Sequence, residues 1–94
     1  MLDFAFTIGS QNVAGAARPL PVIDPATGQP FTHSHAATVA QLDQAVDAAA
    51  LAFATWQHST HAERSAALER VAVAIEQHAA ELAELVVREQ GKPL

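Results

Sequence analysis

Five histidines are the side chains of this sequence best suited to chemistry at neutral pH: His33, His35, His58, His61 and His78. His33 and His35 are two apart, so on a strand they share a face. His58 and His61 are three apart at a helix start. Neither pair has a third ligand at a diagnostic spacing, and no His-Glu-x-x-His occurs. There is no cysteine, which removes thiolate metal sites, disulfides and any cysteine nucleophile. The histidines therefore read as surface residues, with no metal site and no catalytic residue.

Gly91-Lys92 raises the prospect of a phosphate-binding loop. Such a loop needs a glycine five residues before the pair and Ser or Thr after the lysine; Val86 and Pro93 stand there instead. No Gly-x-Ser-x-Gly or Gly-x-Gly-x-x-Gly is present, so no cofactor-binding residue is assigned. Asp43 and Asp47 lie one helical turn apart and read as a solvated face. Phe53 and Trp56, at helical spacing, read as packing anchors.

The formal charge of −5 argues against a nucleic-acid partner. "MLDFAFTIGS" carries an acid where a signal peptide carries basic residues, and no apolar run approaches the roughly 18 residues of a membrane span. These features imply a cytoplasmic protein without a membrane partner. Ninety-four residues suit one small domain with a modest core of its own. Yet residues 1–62 hold only five charged side chains, and the remaining 32 hold ten. So sparsely charged a first part makes a poor free surface, and implies that something covers it.

Two segments must position these residues. Residues 1–37 read as a β-hairpin or meander of two or three short strands. Phe4–Ile8 favours β-structure, Gly9-Ser10-Gln11-Asn12 reads as a turn, and Leu20–Ile23 is a second apolar run. Asp24-Pro25-Ala26-Thr27-Gly28 is a stronger turn signal, with Phe31–His35 the returning strand. Residues 38–94 read as two to three helices. The first follows Thr38 as N-cap and carries Val39, Leu42, Val46, Ala49, Phe53 and Trp56 on one face. From Ala48 to Ala54 it is apolar all round, which predicts burial on more than one side. The second opens with the Thr60–Glu63 capping box and carries a buried stripe of Leu68, Val71, Ala72, Ile75 and Ala79. A break is expected near Gln77-His78, and Gly91 and Pro93 end the last helix.

Read in order, several of these signatures resemble the amino-terminal part of the aldehyde dehydrogenase superfamily. They are Val22-Ile23-Asp24-Pro25-Ala26-Thr27-Gly28; then Ala45-Val46, Ala48-Ala49 and Ala52-Phe53-x-x-Trp56; then Glu63-Arg64, Leu68, Ala72, Ile75 and Glu81-Leu82-Ala83; and finally Glu89-x-Gly91-Lys92-Pro93. Asp24 stands where the family usually has Asn, which makes the same turn, and the stretch from Ile8 to Gly15 lacks the tryptophan often found there. The resemblance implies an α/β, Rossmann-type fold of which this chain is the amino-terminal piece of the cofactor-binding domain. It implies oxidation of an aldehyde to a carboxylic acid with NAD or NADP. In that reaction a cysteine thiolate attacks the aldehyde, hydride passes to the cofactor, and a glutamate-activated water releases the acid. All three elements would lie beyond Leu94, so the chain alone is expected to bind no cofactor and to be inactive.

The implied partners are the remainder of the polypeptide and, at full length, further copies in a homo-oligomer. A monovalent cation at the backbone of Val22 and Ile23 is a further implication of the resemblance. The other functional class open to this sequence is a small helical protein-interaction module using the Ala-rich helix 39–56.

Overall fold

The computed structural model describes residues 4–94; Asp3 and the first residues of the amino-terminal reading lie outside them. The order is β1 (Phe6–Ile8), β2 (Gln11–Val13), β3 (Pro19–Asp24), β4 (Gln29–His35), α1 (Val39–Trp56), α2 (His61–Gln77) and α3 (Ala79–Gln90). The strands form two separate antiparallel pairs, β1–β2 and β3–β4.

The first pair turns through Gly9 and Ser10, with φ of 57° and 65°. Positive φ at both positions is the mark of a two-residue turn whose twist matches its strands. Gln11 and Asn12, expected in the turn, belong instead to β2, because so short a loop leaves them free to pair with Ile8 and Thr7. The second pair turns where the sequence predicts it. Asp24 Oδ1 accepts from Ala26 N at 2.8 Å, Asp24 O accepts from Gly28 N at 2.8 Å, and Thr27 Oγ1 accepts from Gln29 N at 3.2 Å. Register shifts between Val22 and Ile23: Val22 faces Thr32, whereas Ile23 faces Pro30.

The expected Thr60–Glu63 capping box closes, and the expected N-cap Thr38 forms a second box with Gln41. Thr38 Oγ1 accepts from Gln41 N at 3.1 Å and Gln41 Oε1 accepts from Thr38 N at 3.1 Å. Thr60 Oγ1 accepts from Glu63 N at 3.1 Å, and Thr60 N donates to Glu63 Oε2 at 2.7 Å. Each box satisfies donors that the first turn leaves free. The break near residue 78 is present: His78 ends α2 and precedes α3 at φ −107°, ψ 15°, outside helical geometry. Its Nδ1 lies 3.2 Å from Glu81 Oε2.

The expected core is missing. Among the described residues no hydrophobic side chain is buried; Thr32 and Gln41 are the buried ones. The radius of gyration is 16.8 Å, against about 12 Å for a compact chain of this length. With extents of 48 × 33 × 16 Å, the molecule is a slab little thicker than one helix and its side chains. A single layer has nothing behind it, so the apolar faces that the sequence predicts to be buried stay open to solvent.

Candidate functional site

At the start of α1, distant segments are tied by side-chain hydrogen bonds. Gln41 reaches out of its capping box to the loop after β2. Its Oε1 accepts from Ala16 N at 2.9 Å and its Nε2 donates to Ala14 O at 2.7 Å. Gly15, between those two residues, passes so close to β4 that a Cβ there would lie 2.5 Å from the His35 carbonyl oxygen. Ala17 N donates to Ala36 O, and Ala36 N to Arg18 O, both at 2.9 Å. This frame, residues 14–18 with 35–41, fixes the direction in which α1 leaves the sheet. The sequence holds its signal, Thr38-x-x-Gln41, although Thr38 alone attracts notice as a cap.

A second tie joins α3 to the β3–β4 hairpin. The Arg88 guanidinium sits 4.9 Å from the Phe31 ring centroid, and its Nη1 is 3.9 Å from Glu84 Oε1. Gly91, at φ 69°, ends α3 against the turn: a Cβ there would lie 3.0 Å from Pro25 Cγ. Gly91 N donates to Val87 O at 2.8 Å, as a helix-terminating residue does, and opens no helix on which a phosphate could sit.

α1 has two working faces. Gln41, Ala45 and Ala48 are turned into the chain and partly or fully covered. The apolar stripe lies roughly a quarter-turn further round the helix. There Val39 is 76%, Leu42 58%, Val46 59%, Phe53 57% and Trp56 50% exposed. The stripe predicted on α2 is open as well, with Leu68, Val71 and Ile75 each more than half exposed. An open cleft of about 810 Å³ lies in the elbow between α1 and α2, bounded by Trp56, His58, Ser59, Glu63 and Arg70. Arg64, close by, caps the elbow by donating to the Ser59 carbonyl.

The histidines do not converge. His33 and His35 are exposed on β4, and His58 and His61 flank the elbow. Among the described residues no three His, Asp or Glu side chains are grouped as metal ligands. Asp43 and Asp47 are exposed on α1, and Val22 and Ile23 flank the register shift. No described helix is long and apolar enough to cross a membrane. The geometry of the described residues is one of structural ties at Gln41, Thr60 and Arg88. What it offers is an organised segment with open apolar faces.

A strand-and-helix segment of this kind, shaped by its own polar ties yet without a core, is a component of a larger α/β fold. The sequence matches the aldehyde dehydrogenase family over residues 12–94, and the chain belongs to that family, matching its amino-terminal segment. It is 42% identical over 91 residues to a probable aldehyde dehydrogenase of a Pseudomonas species, covering 97% of this chain and 18% of that protein. It is also 42% identical over 90 residues to 3,6-anhydro-alpha-L-galactose dehydrogenase of Streptomyces coelicolor, covering 96% and 18%. The crystal structure of an NAD-dependent benzaldehyde dehydrogenase from Corynebacterium glutamicum superposes with a TM-score of 0.84 at 35% identity, over 94% of this chain and 19% of that one. The chain thus spans about a fifth of the length of these relatives.

Proposed function

We propose that this chain serves as the amino-terminal segment of an NAD(P)-dependent aldehyde dehydrogenase, in which residues 1–37 and 38–94 together form part of the cofactor-binding domain. The observation that carries this reading is the family match over residues 12–94, with the backbone of the benzaldehyde dehydrogenase reproduced at a TM-score of 0.84. The segment's work is architectural. Its hairpins and helices brace the domain that would hold NAD or NADP, and no side chain described above touches a reacting atom. Cysteine chemistry needs a thiolate that these 94 residues do not contain. The assembled enzyme acts as a homo-oligomer in the cytoplasm, without nucleic-acid or membrane partners. A monovalent cation at the Val22 and Ile23 backbone belongs to the same proposal, at the register shift where Phe31 of β4 is left out of the regular ladder.

The test is a graft. The matched segment of the Corynebacterium enzyme is replaced by residues 1–94, and NAD+ reduction with benzaldehyde is followed at 340 nm. The chimera should turn over, while residues 1–94 alone should give no rate above background. A folded but inactive chimera, or turnover by the isolated chain, would overturn the reading. The open stripe of α1 also suits the second class of function, a free-standing interaction module on helix 39–56. A compact, autonomously folded monomer of residues 1–94 would favour that class.

A further inference from the structure

His33 and His35 stand two residues apart in the regular part of β4, past the register shift. Alternate residues of a strand face the same way, so both imidazoles rise from one face of the hairpin. Both residues are exposed, whereas Thr32 and Ser34, on the other face, are buried and half-buried. The two histidines lie opposite Pro21 and Pro19. Those residues carry no side-chain donor, acceptor or charge, so the facing strand gives the rings nothing to bond. Among the described residues neither ring takes part in a hydrogen bond or ion pair, whereas His78 is held by Glu81.

A neutral imidazole keeps a lone pair for a metal ion. Two of them, about 6.6 Å apart along a strand, can lean together onto one ion. Structural and catalytic zinc take three or four protein ligands, and among the described residues no third His, Asp or Glu joins this pair. What the pair offers is a two-nitrogen chelate whose remaining positions go to water. Such a chelate holds copper(II) more tightly than nickel(II) or zinc(II). Charge favours a cation as well. The chain carries −5, and the Arg88 guanidinium on the Phe31 ring, two residues from His33, has Glu84 beside it. His58 and His61 do not repeat the arrangement, because His61 opens α2 while His58 precedes its Thr60 cap.

We propose that His33 and His35 form an exchangeable site for a divalent transition-metal ion, copper(II) before others, on the exposed face of the β3–β4 hairpin. It is distinct from the monovalent cation proposed at Val22 and Ile23, which would rest on backbone oxygens and not on imidazole. Both protein ligands lie within seven residues of one strand, so the proposal does not depend on the reading of the chain as part of an aldehyde dehydrogenase.

The test is a titration of residues 1–94 with copper(II) chloride in a weakly coordinating buffer, followed by copper absorption and by amide NMR. One ion per chain is expected, with paramagnetic broadening centred on residues 33–35. His33→Asn or His35→Asn should each weaken binding at least about tenfold, because the second imidazole binds intramolecularly and its gain is then lost. His58→Asn and His61→Asn should leave the affinity unchanged. Broadening centred elsewhere, or binding indifferent to the loss of either β4 histidine, would overturn the proposal. The chimera of the previous section supplies a second vehicle in which the hairpin sits in a whole enzyme. There the wild-type chimera should take up one more copper ion than its His33→Asn variant, and equal uptake would overturn the proposal too. Turnover by the chimera without added copper decides the functional reading separately.

Discussion

The frame at residues 14–18 and 35–41 and the helical pair α1–α2 are built on opposite terms. In the frame, nearly every backbone group near Gln41 finds its partner inside the chain: Ala14 O, Ala16 N, Thr38 N, Ala17 N and Ala36 N are all satisfied. In the helical pair the backbone is satisfied by helix formation, but Leu42, Val46, Phe53, Leu68 and Ile75 have no cover. A hydrogen bond is completed by one well-placed neighbour. Burying an apolar face takes a whole second layer, and a slab 16 Å thick has none to offer. One region is finished within this chain and the other is not.

If that contrast is right, the largest effect in the isolated chain comes from a polar residue. Gln41→Ala removes both long-range bonds to the 14–16 loop and half of the α1 capping box, three hydrogen bonds in all, and leaves the exposed Ala14 and Ala16 to bond water instead. Each lost bond is worth about 0.5–1.5 kcal/mol net, so a total of about 2–4 kcal/mol is expected for the three. Amide hydrogen exchange at Ala16 and Thr38 should accelerate at least about tenfold. Unchanged exchange would show that the frame is held by something other than Gln41.

Gly91→Ala comes next, since it tests where the finished part of the chain stops. Left-handed backbone at φ 69° costs a residue with a Cβ about 1–2 kcal/mol, and that Cβ would also press on Pro25 Cγ at 3.0 Å. Gly28→Ala is the matched control, with φ 71° and nothing within 4 Å of the added atom. Measured by exchange of the amide that bonds Val87 O, Gly91→Ala should loosen the end of α3 more than Gly28→Ala loosens its own hairpin. Equal effects would mean that α3 does not lean on the Pro25 turn.

What the sequence made legible follows the same division. Asp24-Pro25-Ala26-Thr27-Gly28, the Thr60–Glu63 box, the break at His78 and the Gly91 stop are all short-range signals, completed within a few residues. The order of those signals also carried the family. Less legible was anything decided by loop length or by distance along the chain. Gln11 and Asn12 are ordinary turn formers drawn into β2 by a two-residue turn. Gln41 reaches back 25 residues to Ala16, which no local pattern encodes. The apolar run of α1 already implied cover from outside these residues, whereas the α2 stripe of Leu68, Val71 and Ile75, expected to be buried, is open, because periodicity reports which face seeks cover and not whether cover is present. As for a site, the resemblance implied a monovalent cation at the backbone of Val22 and Ile23, which flank the register shift of β3 against β4.

The smallest expected effect is the most diagnostic. In a finished core, Phe→Ala costs about 3–5 kcal/mol through lost transfer energy and a residual cavity. Phe53 is 57% exposed, so its truncation in the isolated chain opens no cavity and leaves most of its water contact as before. Alanine is also the better helix former, by about 0.5 kcal/mol. The two terms nearly cancel, and Phe53→Ala should change the 222 nm ellipticity and the exchange of α1 amides by less than about 0.5 kcal/mol, with helicity if anything rising. The same substitution in the full chimera should cost several-fold more, since the ring would then be pulled out of a groove. A large loss already in residues 1–94 alone would mean that α1 packs inside the isolated chain, and that the division between a finished frame and an unfinished helical face is wrong.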